Sequence, residues 1–341
     1  MADARRAVKT LLSAHHDDTP PGSHFLVAVS GGADSLALAW AAQFVLPRQG
    51  YSLEAVVVDH GIQAQSAEIA EEAARTCQVL GLHARVVKVS LGGRSGVLAS
   101  ELGGIRASGD GMEGGVEHQA RLARYDALRA VQRESGAHGV LLGHTMDDQA
   151  EGVLLGLARG SGPGSLRGMA ERNQQWWRPF LGLRRADTRQ VCLDAGISWW
   201  DDPHNDDDVF ARPRVRHHIL PAMERELGPG VVEALARTAI LLRTDDDALD
   251  QIASAIADQE QRAHGAGVVS VDTLSSQPWA ISSRVVRRVA FDVAQSALSY
   301  DHTDRVMALV SDWHGQGPID IPGASVVREG DCLRIVPRTT R

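Results

Sequence analysis

Several features that would narrow the class of this chain are scarce or missing. Its three cysteines, Cys77, Cys192 and Cys332, stand far apart with no CxxC pair. No zinc ribbon, iron–sulfur ligand set or disulfide framework is therefore expected, and a cytoplasmic location is the simple reading. No apolar run is long enough to span a bilayer, so no membrane partner is expected. The N-terminus reads as a short helix and a Pro/Gly turn rather than an apolar stretch before a cleavage site, so no secretory signal is expected either. There is no internal repeat and no low-complexity tract. The net charge of −8 offers no overall excess of positive charge, which weighs mildly against a nucleic-acid partner.

What is present is an ordinary soluble composition, 43% apolar and 23% charged over 341 residues, long enough for two domains. Short apolar runs at 24–29, 53–58, 84–89 and 138–143 read as strands. Helical patterns follow at 35–45, 66–80 and 147–158. This alternation predicts an α/β fold, a parallel sheet with helices on both faces, and right-handed crossovers put the strand C-termini at one edge. Residues 91–115 hold nine glycines with little periodicity and read as a loop, either a solvated insertion or a lid. After about residue 214, helices are expected at 216–243, 245–261, 284–297 and 303–313, followed by a small β element at 318–336. The expected domains are therefore 1–213 and a mainly helical 214–341.

The most informative string is Ser30-Gly31-Gly32-Ala33-Asp34-Ser35, which follows a strand and opens a helix. Paired glycines allow a tight turn and close approach of main chain to a ligand, and the free N–H groups of a helix start bind anions. Ser30 and Ser35 add hydroxyl donors. Asp34 beside phosphates needs neutralising, which a bridging Mg²⁺ does naturally. The turn is neither a Walker A loop nor a GxGxxG turn. The SGGxDS string resembles the signature of the PP-loop (N-type) ATP pyrophosphatases. That likeness implies a Rossmann-like, adenine nucleotide alpha hydrolase-like sheet, with ATP cleaved between its α and β phosphates and AMP attached to a substrate oxygen.

Further motifs resemble one branch of that group, the tRNA(Ile)-lysidine synthetases, in the family's order from residue 24 to 221. Val57-Val58-Asp59-His60-Gly61 looks like its VDHGL segment, and His118 to Tyr125 like its EARxxRY helix. Gly143-His144-Thr145-Met146-Asp147-Asp148-Gln149-Ala150-Glu151 is similar to GHxxDDQAE, and residues 157–169 to LxRGSGxxGLxGM. Residues 178–181 resemble RPLL, 200–205 WxEDPSN, and 212–221 RNxIRxxxLP. Gly152 departs from the family's Thr, Pro213 from its Asn, and the 91–115 loop is longer, which puts local loop contacts in doubt.

The resemblance implies ATP-dependent joining of free L-lysine to C2 of the wobble cytidine of the tRNA(Ile) with a CAU anticodon. The route is an adenylated cytidine, with release of pyrophosphate and AMP and a change of codon from AUG to AUA. Under it, ATP binds at Ser30, Gly31, Gly32, Ala33, Asp34 and Ser35, and Asp34 is the Mg²⁺ ligand. Asp34, Arg121, His144 and Asp148 are the catalytic candidates, with Asp148 holding the lysine ammonium. His60 either approaches adenine or ribose or is structural. Asp147 or Asp148 could instead cap its helix, and Arg121 and Arg124 could be a solvated face. Arginines 159, 167, 172, 178, 184, 185 and 189, with 212, 214 and 216 and His217 and His218, form either ordinary surface or a nucleic-acid footprint. Trp176-Trp177 and Trp199-Trp200 either pack in cores or stack on bases. A homodimer is left open.

Three other readings compete. A tRNA thiolase of the same fold would want site cysteines, and none of the three follows a motif. A small-molecule amidotransferase would carry a glutaminase domain, and none is expected in the short stretch before Phe25. A non-catalytic nucleotide- or tRNA-binding protein is the rival from another class, disfavoured by Asp34, His144 and Asp148.

Overall fold

A computed structural model describes residues 1–59, 61, 65–89, 115–160, 162–203 and 207–338. The chain divides into two compact units, Met1–Arg243 and Thr244–Arg341; the expected boundary at 213/214 lies within the first. In order, the first unit contains α1 (Ala2–Ala14), β1 (His24–Val29), α2 (Ala33–Val45), β2 (Ser52–Asp59), α3 (Ser66–Val79) and β3 (His83–Lys88). It continues with α4 (Gly115–Ser135), β4 (Gly139–Leu141), α5 (Met146–Ala158), α6 (Pro163–Leu166), β5 (Arg172–Asn173) and β6 (Trp176–Trp177). Then come α7 (Arg185–Ala195), α8 (Ala211–Arg214), a π turn over Val215–Ile219, α9 (Leu220–Leu227) and the start of α10 (Val231–His264).

The sheet order is β3-β2-β1-β4-β6-β5, parallel except for the β5–β6 pair. Strands buried on both faces need continuous apolar sequence, and the alternation of side chains decides which helix layer each residue meets. Phe25, Val27 and Val29 of β1, with Ala55 and Val57 of β2, join a core made with α1, α2 and α7. Leu26 and Val56 point the other way, into a smaller core with Tyr125 and Leu128 of α4 and Trp176. The α2 pattern is apolar all round because the helix is sunk in the first of these cores, with Leu36, Ala37, Leu38 and Ala39 almost wholly covered. Trp176 and Trp177 are fully buried, and Trp177 meets Phe25 edge-to-face at 5.4 Å; these two rings are core rather than base-stacking platforms.

The helices after residue 214 differ from the expected pair. Gly228 and Gly230, both at φ +96°, break the pattern before α10, whereas nothing between 243 and 245 stops a helix, so α10 runs through 34 residues. The second unit adds β7 (Val268–Ser270), α11 (Val271–Ser276), α12 (Trp279–Ala294), α13 (Tyr300–Ser311), β8 (Ile319–Ile321), β9 (Ala324–Glu329) and β10 (Cys332–Pro337). The expected β tail is present as an antiparallel sheet, β7-β10-β9-β8, joined by a strand not foreseen, β7. Its core packs Val285, Val286 and Val289 of α12 with Leu309, Val326 and Leu333. His60 and residues 91–114 of the glycine-rich stretch lie outside the described residues.

Candidate active site

The strand C-termini open into a cavity of about 790 Å³ in the first unit. One wall is the turn between β1 and α2. Gly31 takes φ +86°, a left-handed conformation that side chains with a Cβ rarely adopt, and Gly32 becomes the N-cap of α2. The Ser35 hydroxyl donates to the Gly32 carbonyl at 2.9 Å and accepts from the Ser30 N–H at 3.1 Å, closing the turn into a rigid loop. The Trp200 N–H ties Gly31 O down from outside at 3.0 Å. Behind the loop, Gly143 follows β4 so closely that a Cβ there would lie 3.0 Å from the carbonyl group of Asp34 and 3.1 Å from Ser35 Cα. Glycine at 143 is what lets the two strand ends bring the loop and His144 together.

The opposite wall is built from charge. Asp147 and Asp148 open α5, and Glu151 lies one turn on, four and three residues from them. Asp148 does two things at once. Its Oδ2 accepts from the Thr145 N–H at 2.8 Å, capping α5, while its Oδ1 meets Arg185 Nη2 at 3.1 Å. Asp147 accepts the Arg185 main-chain N–H at 2.8 Å and pairs with Arg184 at 3.2 Å. Glu151 is 0% exposed and receives three guanidinium groups: Arg185 at 3.2 Å, Arg212 at 3.0 Å and Arg216 at 2.8 Å. Arg212 lies in α8 just before a π turn and Arg216 lies within it, a helix irregularity frequent at functional sites. Arg185 also reaches Asp34, Nε to Oδ2 at 3.5 Å, and the Thr188 hydroxyl donates to the other Asp34 oxygen.

These neighbours push the titrating groups apart. Burial lifts the Asp34 carboxyl to about 6, against the pull of Arg185 and Thr188, with the Asp148 charge adding to the rise. For Asp148, burial also opposes ionisation, but the Arg185 and Arg212 charges and the Thr145 N–H outweigh it and hold the carboxyl well below its usual range. His144 is kept neutral chiefly by burial and then by the Arg178 charge, and its Nδ1 is buried with no hydrogen-bond partner among the described residues. Arg121 lines the same cavity and its Nε is likewise buried without a hydrogen-bond partner among the described residues. A neutral imidazole and a guanidinium on one cavity wall are suited to proton transfer and to an anionic ligand.

Ser30, Gly32, Ala33, Asp34, Ser35, Arg121, His144 and Asp148 thus converge on one cavity, with Gly31 shaping its loop. Asp59 also lines it. Arg185, Thr188 and Glu151 were not singled out from sequence. Glu151 had a signal, a carboxylate on the buried side of an otherwise apolar helix. Arg185 had none beyond its place in a crowded basic stretch. Part of that stretch is engaged by the fold: Arg178 is 0% exposed and Arg184 pairs with Asp147 and Glu233, whereas Arg189 pairs with Asp201 at the exposed surface and Arg172 with the exposed Asp18.

A phosphate-type cradle at the end of β1, backed by a sheet of this order, defines a PP-loop ATP-using enzyme, and residues 3–223 match the PP-loop domain family. Residues 270–334 match the TilS substrate binding domain. The chain is 48% identical to the tRNA(Ile)-lysidine synthase of Leifsonia xyli subsp. xyli, over 94% of this chain and 91% of that one. It is 45% identical to the tRNA(Ile)-lysidine synthase of Thermobifida fusca, over 96% of each. The chain belongs to the tRNA(Ile)-lysidine synthase family. Its fold is also that of the U34-tRNA thiolase NcsA from Methanococcus maripaludis, solved with a 4Fe-4S cluster, with a TM-score of 0.56 and 18% identity over 71% of this chain and 79% of that one. Cys77 and Cys192 are buried, which pushes each thiol up to about 11. Among the described residues no helix is long and apolar enough to cross a membrane.

Proposed function

We propose that this chain uses ATP to join free lysine to C2 of the wobble cytidine in a CAU-anticodon tRNA(Ile), in the cytoplasm, through an adenylated cytidine. The observation that carries the reading is the single cavity with a main-chain anion cradle on one side and carboxylates on the other. The amides of the 30–35 turn and the Ser30 hydroxyl receive the triphosphate, and Arg121 meets the charge that develops at the α phosphate. Mg²⁺ is held at Asp34. Although no cluster of three or more metal-type side chains forms among the described residues, this ion commonly takes one or two carboxylates and completes its shell with phosphates and water. It supplies charge neutralisation between the phosphates and that carboxyl.

The cytidine O2 attacks the α phosphorus and pyrophosphate leaves. A cytidine oxygen is a poor leaving group, and AMP carries it away in the second step. Asp148 receives the lysine ammonium, and the neutral His144 accepts the proton that the amine must lose before its nitrogen attacks C2. Reaching C2 requires the base to leave its stack and enter the cavity. The second unit, with its match to a substrate binding domain, grips the tRNA.

The test supplies ATP, Mg²⁺, radiolabelled lysine and a panel of tRNA transcripts. Label entering only the CAU isoleucine transcript is the expected result. Pyrophosphate release with no label transferred would keep the PP-loop chemistry and remove lysine as the nucleophile.

A further inference from the structure

We infer that Arg185 is a built-in occupant of the amine subsite, a guanidinium that free lysine must displace from Asp148 before its own ammonium can be held there. The inference rests on the assignment of Asp148 above and adds a residue to it. Each nitrogen of the Arg185 fork faces a different carboxylate: Nε is 3.5 Å from Asp34, Nη2 is 3.1 Å from Asp148, and Nη1 is 3.2 Å from Glu151. Asp34 lies far in sequence from Asp148 and Glu151, which share one turn of α5, yet one cation satisfies all three. The cavity wall includes Asp34, Asp148 and Arg185 but not Glu151. An incoming ammonium therefore meets no carboxylate of this group that lacks a guanidinium, and its binding is an exchange of one cation for another.

The surroundings let Arg185 leave without breaking the wall. Its main-chain N–H is fixed by Asp147 at 2.8 Å, so the side chain can turn while the first residue of α7 stays in place. Glu151 keeps Arg212 and Arg216 when Arg185 departs, so the most deeply buried charge is never left bare, which would be the costly event. Asp148 and Asp34 are the two that lose their nearest guanidinium, Asp148 keeping only the more distant Arg216 at 4.0 Å, and they are the two proposed to receive lysine and Mg²⁺. A guanidinium on Asp148 lowers the fraction of enzyme competent to take lysine and weakens its apparent affinity by that fraction. It also keeps the buried carboxylates compensated while substrate is absent.

The prediction is a gain of binding, which mere damage to the structure does not produce. Equilibrium binding of radiolabelled lysine to the full chain is measured for wild type, Arg185→Gln and Arg185→Lys. Glutamine keeps length and hydrogen bonding without the charge, and lysine keeps one charge without the fork. The expected result is a lysine Kd lowered about tenfold in Arg185→Gln, with Arg185→Lys between it and wild type. An unchanged or raised Kd in a folded Arg185→Gln overturns the inference. If that variant fails to fold, an unchanged or raised Kd in Arg185→Lys does so. Asp148→Asn separates the two readings: if it leaves lysine Kd at the wild-type value, the assignment of Asp148 has failed, whereas loss of binding there with no gain in Arg185→Gln sinks the role of Arg185 alone.

Discussion

At the end of β1 the cavity wall is main chain: two glycines, two serine hydroxyls and the first amides of α2 form a loop in which only Asp34 carries charge. At the starts of α5 and α7 it is side chain: Asp147, Asp148 and Glu151 interlock with Arg184, Arg185, Arg212 and Arg216. The main-chain wall tolerates little change of shape, because a Cβ at Gly143 already crowds it. The side-chain wall tolerates little change of charge, because its members are screened from water and compensate one another. A ligand that is a polyanion suits the first, and a ligand that is a cation suits the second only by exchange.

The contrast can be broken most forcefully at its most buried charge. Glu151→Gln leaves Arg185, Arg212 and Arg216 around a neutral amide, and should cost about 3–5 kcal/mol in a urea unfolding titration; a loss below 1 kcal/mol would mean that the arginines relax into water.

The pH dependence of stability should have opposite signs at the two walls. Asp34, raised in the fold to about 6 from an ordinary 3.8, holds its proton more tightly folded than unfolded. It therefore favours the folded state below that ordinary value, and this preference fades as pH rises through 6. Asp34→Asn should accordingly gain on wild type between pH 4 and 7 by roughly 2–3 kcal/mol. Asp148, depressed in the fold, contributes stability above the ordinary carboxylate range and loses it as pH falls below that range. Parallel urea titrations of Asp34→Asn and Asp148→Asn against wild type across pH 3–7 would show the two trends, and identical trends would refute the contrast.

Gly143→Ala, a change of shape with no change of charge, should cost about 1–3 kcal/mol and weaken ATP binding more than lysine binding. Calorimetry with each ligand measures the ratio.

The same contrast explains what the sequence made visible. A main-chain site must be contiguous, because its atoms come from one turn, so Ser30 to Ser35 could be read as a phosphate cradle directly. The parallel sheet was legible for a similar reason, since each strand buried on two faces is a local apolar run. The charge wall gathers residues 147, 148, 151, 184, 185, 212 and 216 from three separate stretches that only the fold brings together. Asp148 was visible through its motif, but composition does not say which arginines meet carboxylates in the cavity wall, as 185, 212 and 216 do, and which stay at the surface, as 159, 189 and 214 do. Residues 228–230 hold two glycines and a proline and so ended a helix that periodicity alone would have carried through, and β7, three residues long, was too short to stand out.

The central claim is that one cavity holds nucleotide and amine against two different walls, and single-turnover kinetics of Asp148→Asn test it most directly. Asparagine still accepts the Thr145 N–H and so keeps the α5 cap while removing the charge. Pyrophosphate release from ATP in the presence of the CAU transcript should continue within a few-fold of wild type, while lysine transfer falls by at least about 100-fold. Transfer of lysine at the wild-type rate, or loss of both steps together, would contradict the account.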